Sequence, residues 1–126
     1  MQGTFQSSHL RIELDASAQA IGERLLVPQK LQQWLWPQRL PAGLPPRLQQ
    51  GTTFASGLGP LAIQHEVRLA HPGGLQLRLS QAIDGYQEWR WGEGWVQSCL
   101  EGVSLLPLAA LQTYSLLQLR QAAAGH

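Results

Sequence analysis

The chain has 126 residues, of which 44% are hydrophobic and 13% charged, and a formal net charge of +1 at pH 7. A single domain of this size buries roughly two-thirds of the surface its unfolded form exposes, so it can build a core without metal or disulfide staples. The balance argues against two kinds of partner: no apolar run reaches the ~18 residues of a membrane helix, and arginines placed singly along the chain form no basic stripe for a nucleic-acid backbone. The opening residues Met1 to His9 have neither the basic start nor the apolar core of a secretory signal. Cys99 is the only cysteine, which excludes an internal disulfide and suits a reducing compartment, so a cytoplasmic location is expected.

From His9 to Leu14 the residues alternate, with Leu10, Ile12 and Leu14 on one face, as in a half-buried strand. Asp15 or Ser17 then caps a helix whose apolar positions Ala18, Ile21 and Leu25 recur at helical spacing. Pro28 ends that helix and suits the first position of a second short one carrying Leu31, Trp34 and Leu35. Proline is too frequent over 37–46 for regular structure, and this segment is expected to be a loop or an edge. The remainder reads as an antiparallel meander, punctuated at Gly59-Pro60, Pro72-Gly73-Gly74, Asp84-Gly85 and Gly92-Glu93-Gly94. A last helix is expected from about Pro107 to Ala123. Its wheel groups Leu105, Leu108, Leu111, Gln112, Ser115, Leu116 and Leu119, with Leu106 and Leu117 opposite.

The order of these elements resembles a known family. The strand, the pattern Ser17-Ala-x-x-Ile-x-x-x-Leu-x-x-Pro-x-x-Leu-x-x-Trp34, the Leu48-x-x-Gly51-x-x-Phe54 entry to the sheet and the long terminal helix are similar to the SRPBCC or START superfamily. That superfamily includes pollen allergens, lipid-transfer domains and polyketide cyclases. The resemblance covers residues 8–122 of one domain spanning 1–126, and it is a pattern of apolar spacing. It implies an α+β helix-grip fold, in which a curved antiparallel sheet wraps a long C-terminal helix, with two short helices after the first strand and an apolar cavity beneath.

Loop lengths then decide which residues face that cavity. A two-residue Gly59-Pro60 turn sets Phe54 opposite His65. A three-residue Pro72-Gly73-Gly74 loop sets Leu69 opposite Leu77, Val67 opposite Leu79 and His65 opposite Gln81. A three-residue Asp84-Gly85-Tyr86 loop sets Gln81 opposite Trp89 and Leu79 opposite Trp91, and a tight Glu93-Gly94 turn brings Trp91 to Val96 and Trp89 to Ser98. The concave row would be Phe54, His65, Gln81, Trp89 and Ser98. A two-residue Asp84-Gly85 turn would instead turn Tyr86, Glu88 and Arg90 inward. Burial of two indoles favours the first register, because a buried ion pair is costly to desolvate.

Each polar residue of that row has an ordinary reading beside the functional one. His65 can be a core histidine bonded to Gln81, Trp89 and Trp91 can be core filler whose indole N–H groups reach Gln81, Ser98 or Gln112, and Gln112 can be satisfied by backbone. Cys99 faces outward with Arg90 its one basic neighbour by pairing, which gives no reason for a reactive thiolate. His9, His65, His71 and His126 have no metal-ligand spacing, and no catalytic or phosphate-binding motif is present.

The expected function is binding or carriage of a small, largely apolar ligand between sheet and terminal helix, without covalent chemistry, metal or cofactor. Phe54, His65, Leu79, Gln81, Trp89, Trp91, Ser98, Gln112 and Leu116 are the candidate contacts. The resemblance to polyketide cyclases implies an enzymatic alternative with His65 as acid or base. The third reading is an interaction domain with a closed cavity, pairing as a homodimer through Leu106, Tyr114 and Leu117 or through segment 37–46.

Overall fold

The computed structural model describes residues 3–35 and 38–124; Pro37, at the head of the proline-rich segment, and His126 lie outside the described residues. The chain runs β1 (Thr4–Glu13), α1 (Ala18–Leu26), α2 (Pro28–Leu35), β2 (Thr53–Leu58), β3 (Leu61–His71), β4 (Gly74–Gln81), β5 (Ile83–Gly92), β6 (Trp95–Ser104) and α3 (Leu108–Ala124). The strands form one antiparallel sheet in the order β1-β6-β5-β4-β3-β2, curved around α3 as in a helix-grip α+β fold. Among the described residues no helix is long and apolar enough to cross a membrane.

Strand β1 is longer than its apolar alternation suggested. Gln6 and Ser8 continue the inward face of Leu10 and Ile12 toward the N-terminus. The reason lies in α3: the Gln6 side chain donates to the carbonyls of Ser104 (3.1 Å) and Leu106 (2.7 Å) and accepts from the Leu108 N–H (3.0 Å), so a strand residue satisfies the exposed start of the last helix. Ser17 caps α1 by accepting from the Ala20 N–H, and the Glu93 carboxylate accepts from the Ala18 N–H, placing an anion where the helix dipole favours one. Pro28 opens α2, where its missing N–H leaves no bond unmade. Arg39 exchanges two backbone hydrogen bonds with Gly57, so the proline-rich segment does brush the β2 edge.

Two hairpins depart from the expected register. Between β3 and β4 the loop is only Pro72-Gly73, with His71 opposite Gly74, and a bulge between Val67 and Leu69 absorbs one residue. His65 therefore faces Leu79, not Gln81, and Val67 faces Leu77. Between β4 and β5 the chain turns at Gln81 and Ala82, where Gln81 takes a positive φ of 75°. Leu79 thus pairs with Gly85 and Leu75 with Trp89, while Asp84 and Gly85 lie inside β5. Both displacements are even in residue number, so Trp89 and Trp91 still point inward. The last hairpin has the expected pairs, Trp91 with Val96, Trp89 with Ser98 and Glu88 with Cys99.

Gly85 explains why a turn was misplaced there. It pairs with Gly102, and a Cβ on Gly85 would fall on the Glu101 carbonyl oxygen and 2.5 Å from the Gly102 Cα. The two glycines let adjacent strands bend into each other; Gly85 serves the sheet's curvature, not a reversal of direction.

Helix α3 buries Leu108, Gln112, Leu116, Leu119 and Ala123, half-buries Leu111 and Ser115, and exposes Tyr114 and Leu117. Leu105 and Leu106 exchange the places the wheel assigned them: Leu105 is 69% exposed and Leu106 packs against the core. Both precede the helix, in a bend braced by the Ser104 hydroxyl, which donates to the Ala82 carbonyl (2.7 Å) and accepts from the Leu106 N–H (3.0 Å). A helical wheel does not govern them.

Candidate functional site

Between the concave face and α3 lies a cavity of about 310 Å³. Its floor is Ile63 and His65 of β3, Leu79 of β4, Ile83 and Gln87 of β5 and Leu100 of β6. Leu111, Gln112, Tyr114 and Ser115 of α3 form the roof, and Leu35, Gln38 and Leu58 close one side. Tyr114, 43% exposed, marks where the cavity meets the surface. Among the described residues none of those lining it is Asp, Glu, Lys or Arg.

A cross-strand row underlies this floor. Phe54 pairs with His65, His65 with Leu79, Leu79 with Gly85, Gly85 with Gly102 and Gly102 with Gln6. Gly85 and Gly102 sit side by side in this row, where a Cβ on either would run into the backbone of the neighbouring strand.

His65 is the most perturbed group of the site. Its ring stacks on Phe54, with centroids 4.7 Å apart and planes 10° from parallel. Its Nε2 lies 2.9 Å from the Ser56 hydroxyl, which accepts from Gln38 Nε2 at 2.6 Å. Nδ1 is buried and has no partner among the described residues. Burial pushes the imidazole down to about 4, so His65 is neutral at neutral pH.

Gln112 is fixed from the opposite side. Its Nε2 donates to the carbonyls of Ser98 (2.7 Å) and Ser8 (3.1 Å) and lies 3.0 Å from the Ser98 hydroxyl. Carbonyls only accept, so the amide cannot turn over without setting oxygen against oxygen. Its Oε1 is then left buried with no partner among the described residues.

A smaller lobe of about 50 Å³ adjoins the cavity, sharing Leu35, Gln38, His65, Gln87 and Ser115 with it. Phe54, Trp34 and Trp89 line it, the two indoles meeting edge to face at 6.1 Å. The Trp34 indole N–H donates to the Arg24 carbonyl, which ties α2 to α1.

His65, Leu79 and Gln112 thus line the main cavity, and Phe54 and Trp89 the small lobe. Trp91, Ser98 and Leu116 are buried in the core outside both linings. Trp91 packs under α1, where a Cβ on Gly22 would sit 3.0 Å from its indole nitrogen. Gln81 is solvent-exposed at the β4–β5 turn and cannot join the concave row, because the hairpin reverses earlier than expected; among the described residues neither His65 nor an indole bonds to it. Gln112 donates to the strands and not to the tryptophans.

Gln38, Ser56 and Gln87 were not anticipated. Ser56 and Gln87 stand two residues from Phe54 and Trp89, so strand parity placed them inward. Gln38 follows α2 in irregular chain, where no periodicity speaks. On the convex face Cys99 has His9 as a neighbour, with Nδ1 3.5 Å from the sulfur, because β1 pairs with β6; Arg90 is not its only basic neighbour. Among the described residues no group of three or more His, Cys, Asp or Glu could hold a metal ion.

No protein-family model matches the chain and no curated protein sequence matches it significantly. Solved structures share its fold. Protein CV1439 from Chromobacterium violaceum superposes with a TM-score of 0.75 at 17% identity, over 94% of this chain and 97% of that one. Norcoclaurine synthase from Thalictrum flavum superposes at 0.65 and 13% identity, over 100% and 98%. The major latex-like protein 151 of Panax ginseng does so at 0.65 and 9% identity, over 98% of each chain. The chain therefore has the helix-grip fold that these structures share.

Proposed function

We propose that this protein binds a small, uncharged, largely apolar molecule in the cavity between the sheet and α3, and holds or carries it without covalent chemistry. The observation that supports this is the lining. The cavity, at about 310 Å³, lies near the lower end of the roughly 300–1,000 Å³ range of small-molecule sites. Its wall is leucine and isoleucine interrupted by a few polar groups, the composition of a site that gains affinity from burial and orientation from a small number of hydrogen bonds. That volume suits a ring system or short chain and not a phospholipid. A cytoplasmic setting fits the free Cys99.

His65 argues for binding over turnover. A general acid or base works best with a pKa near the operating pH, and an imidazole held at about 4 by burial is neither a strong base nor a proton donor at neutral pH. A synthase shares the fold, so the fold admits both activities. The chemistry of His65 favours the first.

Mass spectrometry of the native protein as purified, with release of bound molecules, tests the reading. A stoichiometric organic molecule displaced by widening Ser115 to Phe is the expected result. A protein that stays unliganded, and whose cavity resonances are unmoved by a panel of uncharged aromatic and alicyclic compounds at millimolar concentration, would refute it.

A further inference from the structure

The convex face of the sheet carries a cluster of reactive side chains that the cavity does not use. Cys99 stands in the middle of β6, with His9 opposite it on β1 and Glu88 opposite it on β5. Its sulfur lies 3.5 Å from His9 Nδ1 and accepts from Gln97 Nε2 at 3.7 Å. On the other side of the imidazole, His9 Nε2 lies 3.3 Å from the Ser7 hydroxyl, which donates to the Glu101 carboxylate at 3.3 Å. Strand parity and register make this arrangement, because Ser7 pairs with Glu101 and, two residues along, His9 pairs with Cys99.

The bonding pattern fixes the direction of each proton. A carboxylate only accepts, so the Ser7 proton points to Glu101 and the Ser7 oxygen is left to accept from His9 Nε2–H. A neutral imidazole protonated at Nε2 has its lone pair on Nδ1, facing the Cys99 thiol. Nucleophile, base and orienting group thus follow one another in the order of an activated nucleophile. Transfer of the thiol proton to Nδ1 leaves a thiolate between two N–H donors, on His9 and Gln97, and an imidazolium linked through Ser7 to the Glu101 carboxylate. The other facing anion, Glu88, is already engaged by Gln76 Nε2 at 2.6 Å and Arg90 Nε at 3.3 Å.

The half-buried Cys99 lines a groove of about 420 Å³ with His9, Arg68, Tyr86, Glu88 and Glu101. Its surroundings narrow the chemistry. β6 is paired on both sides, so among the described residues the backbone N–H groups around Cys99 are spent in the ladders and none is free to stabilise the oxyanion of an acyl transfer. Thiol–disulfide exchange needs no oxyanion site, only a thiolate, access to it and a proton for the leaving thiol. Arg68 and Glu101 give the groove both signs of charge, which suits a disulfide of the amino-acid type bearing carboxylate and ammonium groups.

We propose that Cys99 is a thiol-exchange site, at which His9 takes the thiol proton and a low-molecular-weight disulfide caps the sulfur. The Cys99 thiolate attacks one sulfur of the disulfide. A bond from Sγ to that sulfur forms as the old S–S bond breaks, and its electron pair leaves on the second sulfur, which takes the proton from His9. One disulfide and one protein thiol become one mixed disulfide and one free thiol. The site lies on the opposite face of the sheet from the cavity and does not depend on what the cavity holds.

The test incubates the full chain with glutathione disulfide at neutral pH and follows the mixed disulfide by mass spectrometry of the intact protein. Cys99 is the only cysteine, so the adduct is assigned without digestion. The folded chain is expected to react about tenfold faster than the same chain unfolded in urea. His9→Gln is expected to remove that advantage. Ser7 is a positioning residue: Ser7→Ala is expected to slow the folded chain about threefold, and Ser7→Thr, which keeps the hydroxyl, to restore the rate. Ser7 and His9 are exposed, so these variants keep the fold, which their backbone amide spectra check. The proposal is overturned if the folded parent reacts no faster than the unfolded chain, or if His9→Gln or Ser7→Ala leaves the parent rate unchanged.

Discussion

At one end of the concave face Trp91 packs under α1 and Trp89 against Trp34 of α2, and the small lobe beside them holds only about 50 Å³; at the other, His65, Leu79 and Ile83 face α3 across about 310 Å³. The same strands, β4, β5 and β6, serve both ends. What differs is how the space is taken up: indoles at Trp89 and Trp91 fill one end, and at the other the paired Gly85 and Gly102 let β5 and β6 bend closely together. A cavity in this fold thus depends on how tightly the strands curve as well as on the bulk each inward position carries.

Truncation separates the two ends most sharply. Trp91→Ala should cost about 4 kcal/mol of unfolding free energy in urea titrations, because the well-packed end cannot collapse around the loss. Ile83→Ala at the cavity floor should cost about half as much, since atoms bordering an existing void already lack contacts on one side. Equal costs would mean that the cavity closes in solution.

Gly85→Ala probes how the hollow end is made. Its Cβ would meet the backbone of Glu101 and Gly102, which cannot move aside as a flexible side chain could. A loss of about 3 kcal/mol is expected by denaturation, with backbone amide shifts confined to β5 and β6. A cost below about 1 kcal/mol would show that the strands relax and that the bend does not depend on this pair.

Acid should weaken the hollow end through His65. The folded imidazole titrates at about 4 against an ordinary 6.5, so below pH 6.5 the unfolded chain takes up a proton that the folded one refuses. Stability is fully present above pH 6.5 and falls as pH is lowered toward 4, by about 3 kcal/mol at roughly 1.4 kcal/mol per pH unit. His65→Gln should flatten that part of the profile; a profile unchanged by the substitution would assign the loss to other groups. The smallest effect is expected from Ser115→Leu, which puts apolar bulk into the cavity roof and should raise stability by about 1 kcal/mol while abolishing ligand binding.

The comparison also explains what could be read before the structure was known. At the filled end, side-chain parity survives errors in loop length, so Trp89 and Trp91 were placed inward although the β4–β5 turn was assigned several residues too late. At the hollow end the informative residues are glycines, and in sequence Asp84-Gly85 reads as a turn because the same freedom from a side chain serves a reversal or a tight bend. Gln81 was lost to that ambiguity. The Phe54 and His65 pair was legible because Gly59-Pro60 leaves room for only one turn length, and Gln112 because α3 is long enough for its wheel to be unambiguous. Gln38 was not legible: its place in the site comes from tertiary contacts with Ser56 and His65.

The pairing of β1 with β6 has a consequence for how the chain comes into being. Thr4 finds its partner in Ser104, and the Gln6 side chain meets the Leu106 carbonyl 100 residues further on. During synthesis β1 is made well before its partner β6, and α3 cannot be capped by Gln6 until β1 has docked. Contacts so distant in sequence slow folding. They also leave an alternating, half-apolar segment exposed on every nascent chain until β6 emerges.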